Sequence, residues 1–379
     1  MTSIYIIGMG YIGFPLACLL SNNMKVNCID KDKRKIKKLK NRQTIFKEKN
    51  LNNLFKKNFK NLNFDNKIDK NRGKSIFFIC VPTPLKNGKP YLSYVYNVLS
   101  RLNKFIKRGD LIIIESTIPP GTTEKIKKKY FYLKRHINLA YCPEKAIPGN
   151  TLKEMKNNFR VIGGINKESS LLAKNIYSIF SKKIFLTDPK TAEISKLAEN
   201  TFRLVNISLA NEMNEICKKY NTSSSELFKI TNMHPRVKYL KPGIGIGGHC
   251  IPIDPLFFDK KMNLKMIKTS ININHSVINN TSKEILSQIR RLQKKDILIL
   301  GITYKENIDD LRESAAIKII NKIKKNVENI DIYDPYNLSL NTLKVSDFKK
   351  RKFDLKVYLV NHDKFKILKI KARKCLDYR

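Results

Sequence analysis

The stretch Ile4-Tyr-Ile-Ile-Gly8-Met-Gly10-Tyr-Ile-Gly13-Phe-Pro-Leu-Ala17 decides how this chain begins to fold. An apolar run enters a Gly-x-Gly-x-x-Gly turn, and a second apolar run suited to a helix follows. In such a turn the first glycine allows a tight bend, the second lets the backbone approach a pyrophosphate, and the third lets helix and strand pack closely. The stretch therefore predicts a strand, turn and helix that bind a dinucleotide, with contacts from Gly8, Gly10, Tyr11, Ile12 and Gly13.

A second apolar stretch, Lys25-Val-Asn-Cys-Ile-Asp30, strengthens this interpretation. Its terminal acid follows the glycines by about 20 residues, the spacing at which a carboxylate binds the ribose diol and repels a 2′-phosphate. We therefore expect the cofactor to be NAD. Lys31, Lys33 and Arg34 follow directly, so a 2′-phosphate, and with it NADP, stays an alternative.

Length and composition limit the class of protein. With 379 residues, 42% of them hydrophobic, the chain can form two or three domains. No apolar run approaches the roughly 18 residues of a membrane span, and the first residues enter a strand without a basic leader. We expect a soluble, cytoplasmic protein without membrane insertion. The seven cysteines show no paired spacing, which predicts neither a disulfide framework nor a metal site.

The formal charge of +43 is extreme for an enzyme and has two interpretations. A chain with this charge binds polyanions through counterion release, which suggests a nucleic-acid-binding protein. Alternatively, lysine accumulated wherever the surface tolerated it. Lysines are spread along the whole chain, and no compact basic module with interleaved aromatic residues occurs. We favour the second interpretation and expect no specific nucleic-acid partner.

Strand and helix patterns alternate along the chain and predict an α/β fold. The apolar runs Ser75-Ile-Phe-Phe-Ile-Cys-Val81 and Asp110-Leu-Ile-Ile-Ile-Glu115 are typical of parallel strands covered on both faces. Because ligands bind beyond the carboxyl ends of such strands, Pro82, Thr83 and Thr117 in the following loops are predicted to surround the nicotinamide. We predict two Rossmann-like, doubly wound domains joined by helices. Their bounds are 1–188 for the NAD-binding domain, 189–290 for a central helical domain and 291–379 for a C-terminal α/β domain.

The run Gly243-Ile-Gly-Ile-Gly-Gly-His-Cys-Ile-Pro-Ile-Asp254 places a thiol at the end of a glycine-rich loop. In a protein that binds a nicotinamide cofactor, such a thiol can hold an aldehyde covalently for a second oxidation. Cys250 therefore suggests an alcohol-to-acid dehydrogenase, whereas His249 receives no chemical role. In the helical pattern upstream, Lys196 and Asn200 are four residues apart and share a face. Taken alone, that pair is more often a solvated face than a catalytic pair.

Seven short motifs occur in the order of one enzyme family. They are Gly8-Met-Gly-Tyr-Ile-Gly-Phe-Pro-Leu-Ala17, Val81-Pro-Thr-Pro84, Glu115-Ser-Thr117, Cys142-Pro-Glu144, Lys196-Leu-Ala-Glu-Asn200, Gly247-Gly-His-Cys250 and Asp309-Asp-Leu-Arg-Glu-Ser314. With these motifs the sequence resembles the nucleotide-sugar 6-dehydrogenases, the family of UDP-glucose dehydrogenase. Cys142-Pro-Glu-Lys-Ala-Ile-Pro-Gly149 and His234-Pro-Arg-Val237 are similar to the branch of that family that acts on UDP-N-acetylmannosamine.

The resemblance implies a four-electron oxidation at C6 of a UDP-sugar, with two NAD reduced. By position, Lys196 and Asp254 match residues that share the alcohol proton with a water, and Asn200 matches a donor to the developing oxyanion. Cys250 matches the nucleophile that holds the aldehyde as a thiohemiacetal and then a thioester. Glu144 matches the base of thioester hydrolysis and Thr117 a residue that positions the water. Without the resemblance, Glu144 could equally cap a backbone turn.

The resemblance also implies a substrate site and an assembly. Positions that match substrate contacts are Glu144, Lys196, Asn200, Arg236, Gly243, Gly247, Tyr304, Lys305 and Arg312. For Arg312 an ion pair with Asp309 or Asp310 that braces the loop is an equal alternative. Members of the family form dimers through the central helices, so we expect a homodimer or a higher homo-oligomer. Bacterial members of the mannosamine branch supply an acidic sugar for surface polysaccharide such as enterobacterial common antigen.

Three positions depart from the family pattern: Lys145 replaces an arginine, Ile271 replaces an arginine, and Tyr91 stands where an aspartate is common. The C-terminal domain is also shorter than the resemblance leads us to expect, which predicts weaker UDP binding. Two alternatives from other classes remain. A two-electron hydroxyacid dehydrogenase would not need the thiol, and a non-catalytic basic binding protein would show no turnover.

Overall fold

The structure, a computed structural model, describes residues 2–46, 48, 50–68, 73–131, 136–147, 149–292, 296–327 and 330–378. The chain divides into two compact units. The first unit comprises Met1–Ala198 with Leu256–Asp259, and the second comprises Glu199–Pro255 with Lys260–Arg379. Within the described ranges, no helix is both long and apolar enough to cross a membrane.

The first unit is built on an eight-stranded sheet in the order β10-β9-β8-β7-β4-β1-β2-β3. Its strands are β1 Ser3–Ile7, β2 Val26–Ile29, β3 Leu62–Asp65, β4 Ser75–Ile79, β7 Leu111–Ile114, β8 Asn138–Tyr141, β9 Arg160–Gly164 and β10 Ile184–Thr187, with a small hairpin of β5 Leu85–Lys86 and β6 Lys89–Pro90. Its helices are α1 Gly13–Leu20, α2 Lys33–Lys40, α3 Leu51–Asn58, α4 Ser93–Asn103, α5 Thr122–Phe131, α6 Thr151–Asn157 and α7 Lys167–Tyr177.

Helices cover both faces of this sheet, because alternate strand residues feed two separate cores. One core contains Ile6, Phe14 and Phe78, and the other contains Ile7, Ile79 and Leu99. All of these side chains are buried, which is the pattern of a doubly wound parallel sheet. Strands β3, β2, β1, β4, β7 and β8 are neighbours in this order and run parallel. Their carboxyl ends therefore lie at a single edge of the sheet.

One junction in the sheet is antiparallel. Strand β9 runs against β8, with Ala140 opposite Gly164 and Tyr141 opposite Gly163, whereas β10 runs parallel to β9. Extending the register beyond Tyr141 sets the first residue of β9, Arg160, opposite Glu144. The amino end of β9 thus lies at the edge that holds the carboxyl ends of β1, β2, β3, β4, β7 and β8.

The second unit carries a smaller parallel sheet in the order β12-β11-β13-β14. Its elements are α9 Ser224–Thr231, α10 Lys265–Arg290, β11 Ile297–Leu300, α11 Ala315–Lys324, β12 Ile330–Tyr333, β13 Phe353–Tyr358 and β14 Ala372–Asp377. The long helix α8, Pro189–Lys219, begins in the first unit and continues into the second.

The predicted α/β fold is confirmed, with one sheet in each unit in which every strand pair except β8–β9 is parallel. Strands β1, β2, β4 and β7 lie in the predicted apolar runs. The antiparallel junction between β8 and β9 was not anticipated. All seven cysteines are free, and only Cys250 and Cys375 are exposed. The domain bounds of 1–188, 189–290 and 291–379 stay a prediction.

Candidate active site

The glycine turn after β1 is shaped by two glycines that the fold requires and one that it does not. Gly8 has φ +104°, and a Cβ there would lie 2.6 Å from the Cys80 carbonyl oxygen. A Cβ on Gly13 would lie 2.0 Å from the Gly8 carbonyl oxygen. A Cβ on Gly10 would meet nothing within 4 Å. Open space at Gly10, in front of the first turn of α1, suits a pyrophosphate bound at the helix N-terminus.

Asp30, at the carboxyl end of β2, holds the same turn in place. Its Oδ2 accepts a hydrogen bond from Met9 N–H at 2.8 Å, and its Oδ1 accepts from Asp32 N–H at 2.9 Å. Lys35 Nζ lies 3.6 Å from Oδ2. The carboxylate is therefore fixed beside the glycine turn, as a ribose-binding acid must be. Next to it, Tyr11 stacks on Phe46 with ring centroids 4.4 Å apart, and Ile12 precedes α1.

The loops after β4 and β7 contain the other predicted cofactor contacts. Pro82 is exposed, Thr83 is buried and Thr117 is partly buried. Ser116, which the sequence analysis did not assign, joins these loops: its Oγ donates to the Val81 carbonyl at 2.6 Å and to the Ile79 carbonyl at 3.1 Å. The hydroxyl was present in the quoted Glu115-Ser-Thr117 motif, but only the sheet order reveals its partners.

Glu144 follows β8 and is buried in a network of hydrogen bonds. Its Oε1 accepts from the N–H groups of Lys145 and Ala146 at 2.7 and 2.8 Å. Its Oε2 accepts from Arg160 Nη2 at 2.6 Å, and both side chains are about 95% buried. Glu144 thus caps its own turn and also forms a buried ion pair. No sequence pattern indicated Arg160, because its pairing with Glu144 depends on the antiparallel β8–β9 register.

Lys196 and Asn200 lie one turn apart on α8, and both are buried, at 8% and 7% exposure. The solvated-face interpretation of this pair is therefore wrong. Asn200 Nδ2 donates to Asp254 Oδ2 at 2.6 Å. Asp254 N–H in turn donates to the Cys250 carbonyl at 2.8 Å. These two bonds bring an amide, a carboxylate and the exposed thiol of Cys250 into one site in the second unit.

Three asparagines that the sequence analysis missed fix the loop before Cys250. Asn211 Oδ1 accepts from Gly243 N–H at 2.9 Å. Asn274 on α10 accepts from Ile246 N–H at 2.5 Å and donates to the Ile246 carbonyl at 3.2 Å. Asn206 accepts from the N–H of Leu240 at 2.7 Å, near the start of the loop. These helical asparagines satisfy loop backbone groups that no strand reaches.

The glycines of this loop allow it to pack against the loop after β11. A Cβ on Gly247 would lie 2.9 Å from the Glu313 carbonyl oxygen, and a Cβ on Gly248 would lie 2.7 Å from the Tyr304 ring. Gly248 N–H donates to the Arg312 carbonyl at 3.1 Å. The structure therefore brings Gly247 and Tyr304, two predicted substrate contacts, together in the second unit.

Arg312 itself forms a forked ion pair with buried Asp310. Its Nη2 lies 2.6 Å from Asp310 Oδ2, and its Nε contacts both carboxylate oxygens at 3.0 Å. This is the bracing contact that the sequence left open, and a substrate contact by Arg312 stays a prediction. Burial and the Arg312 charge lower the pKa of His249, which therefore contributes no positive charge beside Cys250 at neutral pH.

The remaining substrate candidates and departures occupy partly or fully exposed positions. Lys305 and Arg236 are exposed, and an Arg236 Nη lies 3.4 Å from the His234 ring. Lys145 Nζ sits 4.1 Å above the Phe159 ring, while Tyr91 packs edge-on against Tyr94. Ile271 is partly buried on α10. In the parts of the chain that the structure describes, no group of three His, Cys, Asp or Glu side chains is arranged to hold a metal ion.

Comparison with protein families gives matches along most of the chain. Three sequence models of the UDP-glucose/GDP-mannose dehydrogenase family match in succession. The NAD binding domain matches residues 2–181, the central domain residues 190–281, and the UDP binding domain residues 298–378.

Individual proteins extend the comparison. The chain is 41% identical over 382 residues to a protein of Methanococcus maripaludis named UDP-N-acetyl-D-mannosamine dehydrogenase, covering 97% of this chain and 87% of that one. Among solved structures, the UDP-D-ManNAc dehydrogenase of Pyrococcus horikoshii matches with a TM-score of 0.92 and 33% identity, covering 100% of this chain and 95% of that one. The UDP-N-acetyl-mannosamine dehydrogenase of Staphylococcus aureus matches with a TM-score of 0.90 and 31% identity, covering 100% and 94%.

Proposed function

Because the chain belongs to the UDP-glucose/GDP-mannose dehydrogenase family, and is an NAD-dependent UDP-sugar dehydrogenase, we propose that its substrate is UDP-N-acetyl-D-mannosamine. The product would be UDP-N-acetyl-D-mannosaminuronate, formed by oxidation at C6. The choice of sugar rests on the 41% identity to a relative named for that substrate. The choice of a four-electron reaction rests on one observation, the hydrogen-bonded placement of Asn200, Asp254 and Cys250.

The first oxidation needs a group that accepts the proton of the C6 hydroxyl. We assign this to Lys196 and Asp254 acting through a water, with NAD supplying the hydride acceptor for this step and the next. Asn200 holds the Asp254 carboxylate at 2.6 Å and, with Lys196, donates to the oxygen as negative charge develops. The product of this step is an aldehyde.

The second oxidation uses Cys250. Its thiolate adds to the aldehyde carbon and forms a thiohemiacetal, which keeps the substrate in place while a second hydride leaves. The resulting thioester is cleaved by a water that gives its proton to Glu144, with Thr117 positioning that water. One water is consumed and two NAD are reduced for each acid formed, and the thiol is regenerated.

Substrate recognition is proposed for the second unit. Tyr304 and Gly247 pack together beside the Cys250 loop, and exposed Lys305 lies in the same loop as Tyr304, where its ammonium group is free to reach a phosphate. Gly243 supplies open backbone, since a Cβ there would meet nothing within 4 Å. Arg236 and Arg312 complete the proposed set.

NAD fits the residues of the first unit. The open space at Gly10 and the fixed Asp30 carboxylate suit the pyrophosphate and the adenosine ribose, and Pro82, Thr83 and Thr117 lie in loops at the same edge of the sheet. Asp30 disfavours a 2′-phosphate, which supports NAD over NADP.

We propose a homodimer, supported by an apolar stripe on α8. Phe202, Leu209 and Ile216 follow at seven-residue spacing and are 64%, 41% and 46% exposed. Such spacing forms a continuous seam on a helix, and a second copy of α8 would cover it. A monomer in analytical ultracentrifugation at working concentration would contradict this assignment.

The cellular role that we propose is the supply of an acidic sugar for surface polysaccharide, of which enterobacterial common antigen is one example. The enzyme would act in the cytoplasm, where nucleotide sugars and NAD are available. This role rests on the resemblance to the mannosamine branch.

The test is the number of NADH formed per UDP-sugar consumed. UDP-N-acetylmannosamine, UDP-N-acetylglucosamine and UDP-glucose are compared with the native enzyme and with Cys250→Ala. We expect two NADH per UDP-N-acetylmannosamine and loss of this reaction without the thiol. Preference for another sugar would move the enzyme to a different branch. A ratio of one NADH per UDP-sugar that is unchanged by the substitution would indicate a two-electron dehydrogenase. No NADH with any substrate would favour the alternative of a non-catalytic basic binding protein.

A further inference from the structure

A second buried carboxyl group lies next to the Glu144–Arg160 pair. Glu115 follows β7, and its side chain is fully buried. One of its oxygens, Oε1, accepts a short hydrogen bond from the Tyr177 hydroxyl and lies 3.7 Å from Arg160 Nη1. Its other oxygen, Oε2, has no hydrogen-bond partner among the described residues. The same guanidinium therefore faces two carboxyl groups, one at 2.6 Å and one at 3.7 Å.

The sheet topology explains why these groups meet. Strands β8, β7 and β4 are neighbours, so Glu144, Glu115 and Cys80 all follow carboxyl ends at one edge. The antiparallel strand β9 brings Arg160 to that edge. Helix α7 ends with Tyr177, whose ring lies under the guanidinium at 4.6 Å. A side chain from each of these five elements thus lies in the same buried region around Arg160.

The charges in this space do not balance if both carboxyl groups ionise. Burial raises the pKa of Cys80, of Cys142 and of Tyr177, so these three groups are neutral at physiological pH. The guanidinium then supplies a single positive charge for two carboxyl groups. An unpaired buried carboxylate is costly, and one of the two groups keeps its proton instead.

Geometry identifies Glu115 as the group that stays protonated. Glu144 accepts three hydrogen bonds at 2.6–2.8 Å, which stabilise its charge, whereas Glu115 has one donor and one bare oxygen. Burial, offset in part by the Arg160 charge, raises the pKa of Glu115 to about 8. This agrees with the assignment from the contacts.

We propose that Arg160 is a positioning residue that holds the Glu144 carboxylate for thioester hydrolysis, and that Glu115 controls Arg160 by keeping or losing its proton. The inference rests on the proposed function, because it needs Glu144 to act as the base. While Glu115 is neutral, the guanidinium is available to Glu144. When Glu115 ionises, it attracts Arg160 Nη1, and Glu144 loses the hydrogen bond that orients it.

The experiment compares the pH dependence of kcat with the fraction of Cys250 held as acyl-enzyme, measured by mass spectrometry of acid-quenched protein. In the native enzyme we expect kcat to fall about tenfold per pH unit above a pH near 8, while the acyl-enzyme fraction rises. Glu115→Gln keeps a neutral side chain of the same size, so this alkaline fall should disappear. Tyr177→Phe removes a hydrogen bond that favours the ionised form, so the fall should move to higher pH.

Two further variants complete the set. Arg160→Lys keeps charge but loses the planar fork, and we expect kcat to decrease by about 10- to 100-fold with acyl-enzyme accumulating at all pH values. Tyr130→Phe is the matched control, because it removes the hydroxyl of a partly buried tyrosine that packs against the core on the other face of the sheet. Its pH profile should match that of the native enzyme. If Arg160→Lys does not fold, the pH profiles of the Glu115→Gln and Tyr177→Phe variants still test the inference.

The outcomes separate this inference from the proposed function. If Glu115→Gln and the native enzyme share one pH profile while both form two NADH per UDP-sugar, the inference is wrong and the function stands. If no UDP-sugar yields NADH, the proposed function fails, and the inference fails with it. Loss of the alkaline fall in Glu115→Gln, with an unchanged Tyr130→Phe profile, supports both.

Discussion

Asn200 donates its side-chain N–H to the Asp254 carboxylate across 2.6 Å, and both residues are more than 90% buried. Asn200 belongs to α8, whereas Asp254 lies in the turn that follows Cys250. The bond therefore ties a helix to the turn that carries the thiol. A buried carboxylate with such a donor keeps its orientation, which the role proposed for Asp254 in the first oxidation requires.

The first prediction concerns that carboxylate. Asp254→Asn keeps the size of the side chain but removes its negative charge and its capacity to take a proton. We expect kcat to fall by about 10²- to 10⁴-fold and KM to change by less than about threefold, in steady-state NADH assays. Glu215→Gln, at an exposed position of α8 that pairs with Lys218, is the control and should leave both constants unchanged. A kcat above a third of the native value for Asp254→Asn would remove Asp254 from the mechanism.

The second prediction separates the two exposed thiols, Cys250 and Cys375. Cys250→Ala removes the proposed nucleophile, and we expect acid formation to fall by at least about 10³-fold because the aldehyde would no longer be held. Cys375→Ala, on β14, should leave turnover unchanged. The measurement is conversion of UDP-sugar to its acid by chromatography. Iodoacetamide should inactivate the Cys375→Ala protein as fast as the native enzyme. If the Cys250→Ser protein kept its activity under the same treatment, that result would count against a covalent step.

The third prediction distinguishes a glycine needed for folding from one needed for the cofactor. A methyl group at Gly13 would lie 2.0 Å from the Gly8 carbonyl oxygen, whereas at Gly10 it would meet no protein atom within 4 Å. Gly13→Ala should therefore destabilise the protein by about 2 kcal/mol or more. Gly10→Ala should unfold like the native protein but bind NAD about 10- to 100-fold more weakly. Thermal unfolding and NAD titration measure the two effects, and equal stability losses in both variants would contradict this reasoning.

The local motifs of the site could be predicted from the sequence, because their geometry is set within a few residues. The Gly8 to Gly13 turn forms where the spacing places it, and the Cys250 to Asp254 turn closes through a backbone hydrogen bond of 2.8 Å. Asp30 was likewise predictable, since it ends an apolar run at a fixed distance from the glycines.

Contacts set by strand register could not be predicted. Arg160 faces Glu144 only because β9 runs antiparallel to β8, and nothing in the sequence of either strand specifies that direction. A shift of a single residue would place Arg160 on the other face of the sheet. For the same reason the second carboxyl group, Glu115, was quoted within a motif but received no role.

Helical residues that satisfy loop backbone were also missed. Asn211 and Asn274 look like ordinary polar positions of α8 and α10, and their burial against residues 243–246 depends on tertiary packing. Burial also decided against the solvated-face interpretation of Lys196 and Asn200. A four-residue spacing predicts a shared helix face, but it does not say what covers that face.

The fourth prediction concerns the loop that carries Tyr304 and Lys305. Asp334, at the end of β12, is fully buried; its Oδ2 accepts from Ile302 N–H at 2.8 Å, and His362 Nε2 lies 3.0 Å away. Burial alone would raise the pKa of Asp334, but the His362 and backbone hydrogen bonds lower it below the ordinary value of 3.8. Its carboxylate thereby anchors the start of the loop.

Asp334→Asn replaces one acceptor oxygen by an N–H₂ group that faces donors, so we expect a loss of about 2 to 4 kcal/mol in the free energy of unfolding at pH 7. Because the folded-state pKa is lowered, the carboxylate stabilises the protein above pH 3.8, and this contribution is lost as the pH falls further. The stability gap between native and variant protein should therefore be constant from pH 7 to pH 5 and should narrow below pH 4. Urea unfolding at these pH values measures it, and exposed Asp363→Asn should show little change. We also expect a higher KM for the UDP-sugar with a smaller change in kcat. A difference in the free energy of unfolding that widens in acid would show that Asp334 is not held as the anion.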